Sequence, residues 1–347
     1  MNNQVDKNLI VETKIKKKGI KFYDVKREPF SIYGVWCDGD RFYRVPKEVA
    51  PLVSPSIVQK STQTAGGRIR FKTNSSYVAV KLLLHNTEKI SLMTTVGAKG
   101  LDLYADGIYV RSFVPPYDQG DGDFESVVEI GEAKEREITI HMPLYAGVID
   151  FYVGVDENAS MSYAKPYKHE KPIVFYGSSI TNGASSSRPG MTYEAIISRK
   201  LDTNHHNLGF GGSARGESAM AEYISGLDMS VFVYDYDHNA PTVEHLKNTH
   251  EPMFKTIREK NPDLPIIMLS RPQYSLANNR DERFAVIKET YDNAIARGDK
   301  NVYIIRGSEL FDGLDADFTV DSVHPTDLGF YKMAEALIPI LDKLLNG

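Results

Sequence analysis

The chain has 347 residues, 41% hydrophobic and 25% charged, a balance that excludes a disordered or fibrous protein. A net charge of -5 argues against a nucleic-acid partner, and the single cysteine, Cys37, excludes an internal disulfide and any cysteine-built zinc or iron–sulfur site. The length exceeds the usual size of one hydrophobic core, so two domains are expected.

The N-terminus, Met1 to Ile10, is polar and carries no apolar signal-peptide core. No stretch approaches the ~18 consecutive apolar residues of a membrane span. The expectation is a cytoplasmic protein with no membrane partner. Lys14 to Lys18, the densest basic run, reads as a solvated strand end.

From about residue 20 onward, short alternating or apolar runs are broken by Gly, Asn, Asp and Pro. Gly67 to Lys72 alternates with period two, and further strand candidates are Val78 to Leu84, Leu101 to Val110, Glu137 to Met142 and Val148 to Val155. An antiparallel β-sandwich over residues 1–160, with 1–20 as a leading segment, is the architecture this pattern predicts. Trp36, Tyr43, Tyr104 and Tyr117 offer aromatic faces for a sugar ring, although core packing explains each one singly. The text turns polar and irregular between Asp156 and Lys171, where the domain boundary is placed.

A second domain, 171–347, follows with different grammar. Apolar runs at Ile173 to Tyr176, Val231 to Tyr234, Ile266 to Leu269 and Val302 to Ile305, and a weaker one at His206 to Leu208, alternate with helical stripes. The stripes are Tyr193, Ile196, Ile197 and Leu201, then Phe284, Ile287, Tyr291 and Ile295, then Met333, Leu337, Ile338 and Leu341. This is α/β alternation, with a parallel sheet between helices. In such sheets the ligand crevice lies beyond the carboxyl ends of the strands.

Four segments fall at those ends. Gly177-Ser-Ser-Ile-Thr-Asn-Gly183 is a small-residue turn that exposes a hydroxyl at a strand tip, and equally fits an ordinary or a phosphate-binding turn. Asn207-Leu-Gly-Phe-Gly-Gly212 can bring backbone N–H groups close to a ligand or be a plain glycine turn. Asp235-Tyr-Asp-His-Asn-Ala-Pro241 follows the third strand. In Asp321-Ser-Val-His-Pro325 the three-residue spacing lets a carboxylate fix the tautomer of an imidazole; a helix-capping Asp beside a surface His fits the same letters. His205, His206 and His238 lack the spacing of a zinc site, so neither a metal nor another cofactor is expected. Asp235 and Asp237 read as structural rather than as a glycosidase pair.

Taken in order, these segments resemble the SGNH (GDSL-type) hydrolases: Gly177 to Thr181 is similar to the first block, Gly212 to the second, Asn239 to the third, and Asp321 with His324 to the last. The resemblance covers about 172 to 345. It implies a flavodoxin-like, doubly wound sheet of strand order 2-1-3-4-5, Ser179 as nucleophile with Asp321 and His324, and an oxyanion hole of the Ser179 N–H, the Gly212 N–H and the Asn239 amide. Two letters depart from the pattern: Ser178 stands where the family has Asp, and no Gly precedes Asn239. Gly177 to Thr181 with Arg188-Pro-Gly190 is similar to a bacterial branch bearing an N-terminal β-sandwich and a Gly-x-Asp-Leu-Tyr motif, present here at Gly100 to Tyr104. Arg188, Arg271 and Tyr274 lie in loops near the expected crevice and are candidates to touch substrate.

The resemblance implies an esterase, with the acetyl ester of a saccharide as the leading substrate class. An acyltransferase using the same acyl-enzyme and an inactive carbohydrate-binding protein are the alternatives, and oligomerisation stays open.

Overall fold

A computed structural model describes residues 12–272, 280–311 and 316–347. Two antiparallel sheets face each other in the N-terminal half. One runs, in spatial order, Ile20–Asp24, Gly147–Asp156, Tyr77–His85 and Gly122–Glu129. The other runs Met161–Ser162, Arg68–Thr73, Arg136–His141, Leu101–Ala105 and Ile108–Phe113, with Ser31–Tyr33 also paired to Arg68–Thr73. Alternate residues point inward, so Ile69, Phe71, Leu103, Ile138 and Ile140 of one sheet pack on Val80, Leu82, Phe151 and Val153 of the other.

Two expectations need correction here. Leu101 to Val110 is a hairpin rather than one strand, because Asp106 and Gly107 take φ of 52° and 76°. Those values suit the two-residue turn that Asp-Gly favours between antiparallel strands. The sandwich also reaches into the irregular segment after Asp156, where Met161 and Ser162 pair with Thr73 and Lys72. Of the basic run, Lys17 is ion-paired to Glu129 and sits over the Tyr77 ring.

The second half is a five-stranded parallel sheet. We number its strands β1 (His169–Gly177), β2 (Thr203–Gly209), β3 (Val231–Asp235), β4 (Ile266–Leu269) and β5 (Val302–Ile305), and their spatial order is β2-β1-β3-β4-β5. The helices are α1 (Ser179–Asn182), α2 (Tyr193–Leu201), α3 (Ser218–Ser225), α4 (Val243–Lys260), α5 (Arg280–Ala296) and α6 (Asp327–Asn346). Successive strand residues feed opposite faces, which is why the strands read as unbroken apolar runs. Val174, Tyr176, Phe232 and Tyr234 pack with Met220, Leu246, Phe254 and Ile257 on one face. Phe175, Val231, Val233 and Leu269 pack with Tyr193, Ile196, Phe330 and Leu337 on the other. No helix among the described residues is long and apolar enough to cross a membrane.

The halves are joined by buried polar contacts. Arg44, wholly buried, donates to the carbonyls of Gly209 at 2.6 Å, Asn207 at 3.2 Å, Gln63 at 2.8 Å and Lys60 at 3.0 Å. Arg68 donates to Asn204 Oδ1 at 2.6 Å and to the His205 carbonyl at 3.1 Å. Asp102 and Tyr104 of the Gly-x-Asp-Leu-Tyr motif point the same way. Asp102 Oδ2 accepts from Gly190 N–H at 2.7 Å and from Arg188 at 2.8 Å, and Arg188 also donates to the Tyr104 hydroxyl at 2.7 Å. The motif is thus a latch between domains.

Candidate active site

The turn after β1 is built around small residues. A side chain at Gly177 would collide with the Asp235 carbonyl and Thr181, and one at Gly209 with the backbone of Asn182, so both positions bring chains too close for anything but glycine. Ser178 caps α1, its hydroxyl accepting from Ile180 N–H at 3.1 Å, and Gly183 closes it in the left-handed region at φ 97°. The Ser178 departure therefore has a physical account, since Ser and Asp serve equally well as N-caps. Ser179 follows as the first residue of the helix, half-buried, with a backbone N–H that has no intrahelical acceptor.

The segment before α6 folds over this turn. Asp321 organises it locally: one carboxylate oxygen accepts from the backbone N–H of His324 at 2.8 Å and of Val323 at 3.1 Å. Its other oxygen lies 2.9 Å from His324 Nδ1, and His324 Nε2 lies 2.8 Å from Ser179 Oγ. Partial burial pushes the Asp321 carboxyl up, but the hydrogen bonds from His324 and Val323 outweigh it and hold it below the usual aspartate value. The cap of α6 is Thr326, so Asp321 is not spent on that helix. With Nδ1–H directed at Asp321, the Nε2 lone pair faces the Ser179 hydroxyl, the arrangement that lets a serine be deprotonated as it attacks.

The remaining donors are also close. Asn239 ends a short turn, Asp237–Asn239, after β3, and its amide nitrogen donates to the Phe210 carbonyl at 2.9 Å. Its Oδ1 accepts from Gly212 N–H at 2.9 Å. Gly212, expected as a direct oxyanion donor, thus has its N–H engaged in orienting Asn239, and one of the two amide hydrogens of Asn239 remains to be offered. The missing Gly before Asn239 is His238, which is half-buried; desolvation of its ring first, then Arg271, His324 and Arg283, against the pull of Asp237, lower it to about 4 and keep it neutral.

The three substrate-contact candidates fare differently. The guanidinium of Arg188 is turned into the domain latch on Asp102 and Tyr104, away from the role expected for it. Arg271 follows β4, its N–H donating to Asp237 Oδ2 at 3.0 Å, and its charge is felt by His238 beside His324. Tyr274 lies outside the described residues. The histidines are not gathered as ligands: His205 packs on Arg68 and His206 on Trp36, and no cluster of metal-ligating residues occurs among the described residues. Asp235 is buried and raised to about 8, with Thr181 Oγ donating to it at 3.1 Å. Tyr104 is buried, whereas Tyr117 is 93% exposed and lines a cleft of about 290 Å³ with Glu88, Lys89 and Met93.

Sequence reasoning missed Lys60 and Tyr145. Lys60 Nζ donates to the Gly211 carbonyl, and a side chain added at Gly211 would meet Ser179 Cβ at 3.2 Å and the Tyr145 hydroxyl at 3.8 Å. Both come from the sandwich half, and no local motif announces a contact made across a domain boundary.

A family model described as GDSL-like Lipase/Acylhydrolase family matches residues 170–342, and one described as the N-terminus of Esterase_SGNH_hydro-type, GxDLY, matches 20–161. No curated protein matches the chain. Among solved structures, a putative GDSL-like lipase from Bacteroides ovatus is 30% identical, with 94% of this chain and 98% of that one covered and a TM-score of 0.84. A salicylyl-acyltransferase from a tetracycline biosynthetic pathway is 19% identical over 95% and 98%, TM-score 0.78. An acetyl xylan esterase from the rumen bacterium Butyrivibrio proteoclasticus is 11% identical over 94% and 98%, TM-score 0.62.

Proposed function

The chain belongs to the GDSL-like lipase/acylhydrolase family, and on that premise we propose that it is a serine esterase that forms an acyl intermediate on Ser179. One observation carries the reading: the unbroken line from Asp321 Oδ2 through His324 to Ser179 Oγ, with links of 2.9 and 2.8 Å. His324 takes the Ser179 proton during attack on the ester carbonyl and returns it to the leaving alcohol, and a water activated by the same imidazole releases the acid. The tetrahedral oxyanion is received by the Ser179 N–H and the Asn239 amide. Arg271 stands at the rim as a candidate contact for the substrate.

The substrate we propose is a short acyl ester, acetyl above all, of a saccharide. Its support is the fold shared with an acetyl xylan esterase and the exposed ring of Tyr117 beside the hydrolase domain, where Thr94 of the same cleft donates to the Ser187 carbonyl at 2.7 Å. An acyltransferase is the second reading, favoured by the fold shared with the salicylyl-acyltransferase.

The test compares wild type and Ser179→Ala on p-nitrophenyl acetate, followed by mass spectrometry after a fluorophosphonate probe. Turnover and a covalent adduct at Ser179 are expected in wild type alone. A folded wild type that neither hydrolyses nor labels overturns the esterase reading and leaves a binding protein. Adding a competing sugar alcohol separates the two acceptors: an acylated sugar in the products is the mark of a transferase.

A further inference from the structure

A second cavity, of about 230 Å³, opens between the domains on the far side of the latch. Its base is formed by Arg70, His141, Tyr104 and Tyr167 of the N-terminal half and by Ser198 and Arg199 of α2. It is smaller than pockets for drug-sized ligands, about 300–1,000 Å³, and suits a fragment of a few heavy atoms.

The polar atoms at that base are mismatched. Among the described residues, Arg70, 7% exposed, has no hydrogen-bond partner for Nε or Nη1, and the carboxylate beside it, Glu137, is 3.8 Å from Nη2. Arg199 Nη1 and His141 Nε2 are likewise without partners. The guanidiniums are held in place by ring faces, Arg70 at 4.2 Å from the centre of Tyr167 and Arg199 at 4.6 Å from that of Tyr104. Burial first, and then the charges of Arg199, Arg68, Arg188 and Arg70, keep the His141 ring neutral. Against them stands the buried carboxylate of Asp102, already taken by Arg188, Ser112 and Gly190. The other acids that line the cavity, Asp106, Glu137 and Asp202, lie at its more exposed mouth, and two are engaged: Asp106 accepts from Glu137 N–H at 2.9 Å and Glu137 from Lys165 N–H at 3.2 Å.

Buried guanidinium donors left unmet are costly, and the group that satisfies them must bring acceptors and negative charge. We propose that this cavity binds a small oxyanion, a carboxylate or a phosphate, clamped between Arg70 and Arg199. The ion bridges the sandwich to α2 and strengthens the union of the two domains. The site is separate from Ser179 and does not depend on the esterase reading.

Thermal unfolding of the full chain, titrated with sodium phosphate or sodium acetate against sodium chloride at constant ionic strength, tests it. Wild type is expected to gain at least about 2 °C in Tm with a saturating dependence on one of the two anions. Arg70→Gln and Arg199→Gln are expected to abolish the gain. Arg199 is the less buried of the two, so its variant carries the test if Arg70→Gln does not fold. Saturation by phosphate identifies a tetrahedral ligand and saturation by acetate a carboxylate. A linear response to every salt, no response, or a gain that persists in any folded variant overturns the proposal.

Discussion

At the scale of single residues, the site depends on groups whose ionisation is set by burial. Asp235 lies under the Gly177 turn, and burial pushes its carboxyl up to about 8, with the Thr181 hydroxyl opposing and Asp237 reinforcing. Folding therefore takes up a proton between the ordinary aspartate value of 3.8 and about 8. Across that window the folded state binds more protons than the unfolded one, so Asp235 costs stability as pH rises, by up to about 1.4 kcal/mol per pH unit. Asp235→Asn is expected to flatten the dependence, which urea unfolding at several pH values between these limits measures. In the mechanism we propose, Asn239 acts differently, through a hydrogen bond that strengthens only as the oxyanion forms. Asn239→Ala is expected to lower kcat for p-nitrophenyl acetate about 10²–10³-fold with little change in KM, and a loss confined to KM counts against an oxyanion role.

Elements carry the site's rigidity. The turn that holds Asn239 is tied to α5 by an ion pair between Arg283 Nε and Asp237 Oδ1 at 2.5 Å, both side chains buried, and Arg283 also donates to the Ala240 carbonyl at 2.8 Å. Arg283→Met leaves a buried carboxylate uncompensated, so a loss of about 3–5 kcal/mol is expected in urea unfolding. The further change Asp237→Asn should restore much of that loss. This pair was not legible in the sequence, because Asp237 and Arg283 are separated by a helix and a strand and neither belongs to a motif. The parallel strands were legible, since burial on both faces writes itself as continuous Val, Ile, Phe and Tyr. Helix α4 was not: its inner stripe of Leu246, His250, Met253, Phe254 and Ile257 includes a histidine, and Pro252 sits inside it. The Asp106-Gly107 turn is present in the letters, but the residues on either side keep alternating and mask it. Ser179, Asp321 and His324 could be named because each follows a strand or precedes a helix with a recognisable word around it. Arg188 misled for the same reason, standing near the right word while its guanidinium turns toward the other domain.

For the molecule as a whole, the two domains share buried charge as well as an apolar seam, in which Val45, Ala50 and Ile57 pack into the hydrolase core beside Leu208 and Phe210. Arg44 alone joins two sandwich carbonyls to two hydrolase carbonyls. Calorimetry of wild type is expected to give one transition, and Arg44→Met to lower Tm and divide the transition into two. A variant that keeps one transition at unchanged Tm would falsify the coupling. Apart from one contact of Arg44 with the Asn207 side-chain oxygen at 3.3 Å, the contacts that Arg44 and Lys60 make with the hydrolase half fall on main-chain oxygens of residues 207, 209 and 211, which every amino acid supplies. Gly209 itself is held to glycine by its approach to Asn182, but changes at the more open positions of that stretch keep the main-chain contacts, while a graft of the hydrolase half onto an unrelated partner loses them at a stroke. Over evolutionary time the two halves can therefore drift wherever packing leaves room yet are bound to travel together, inherited as one cassette.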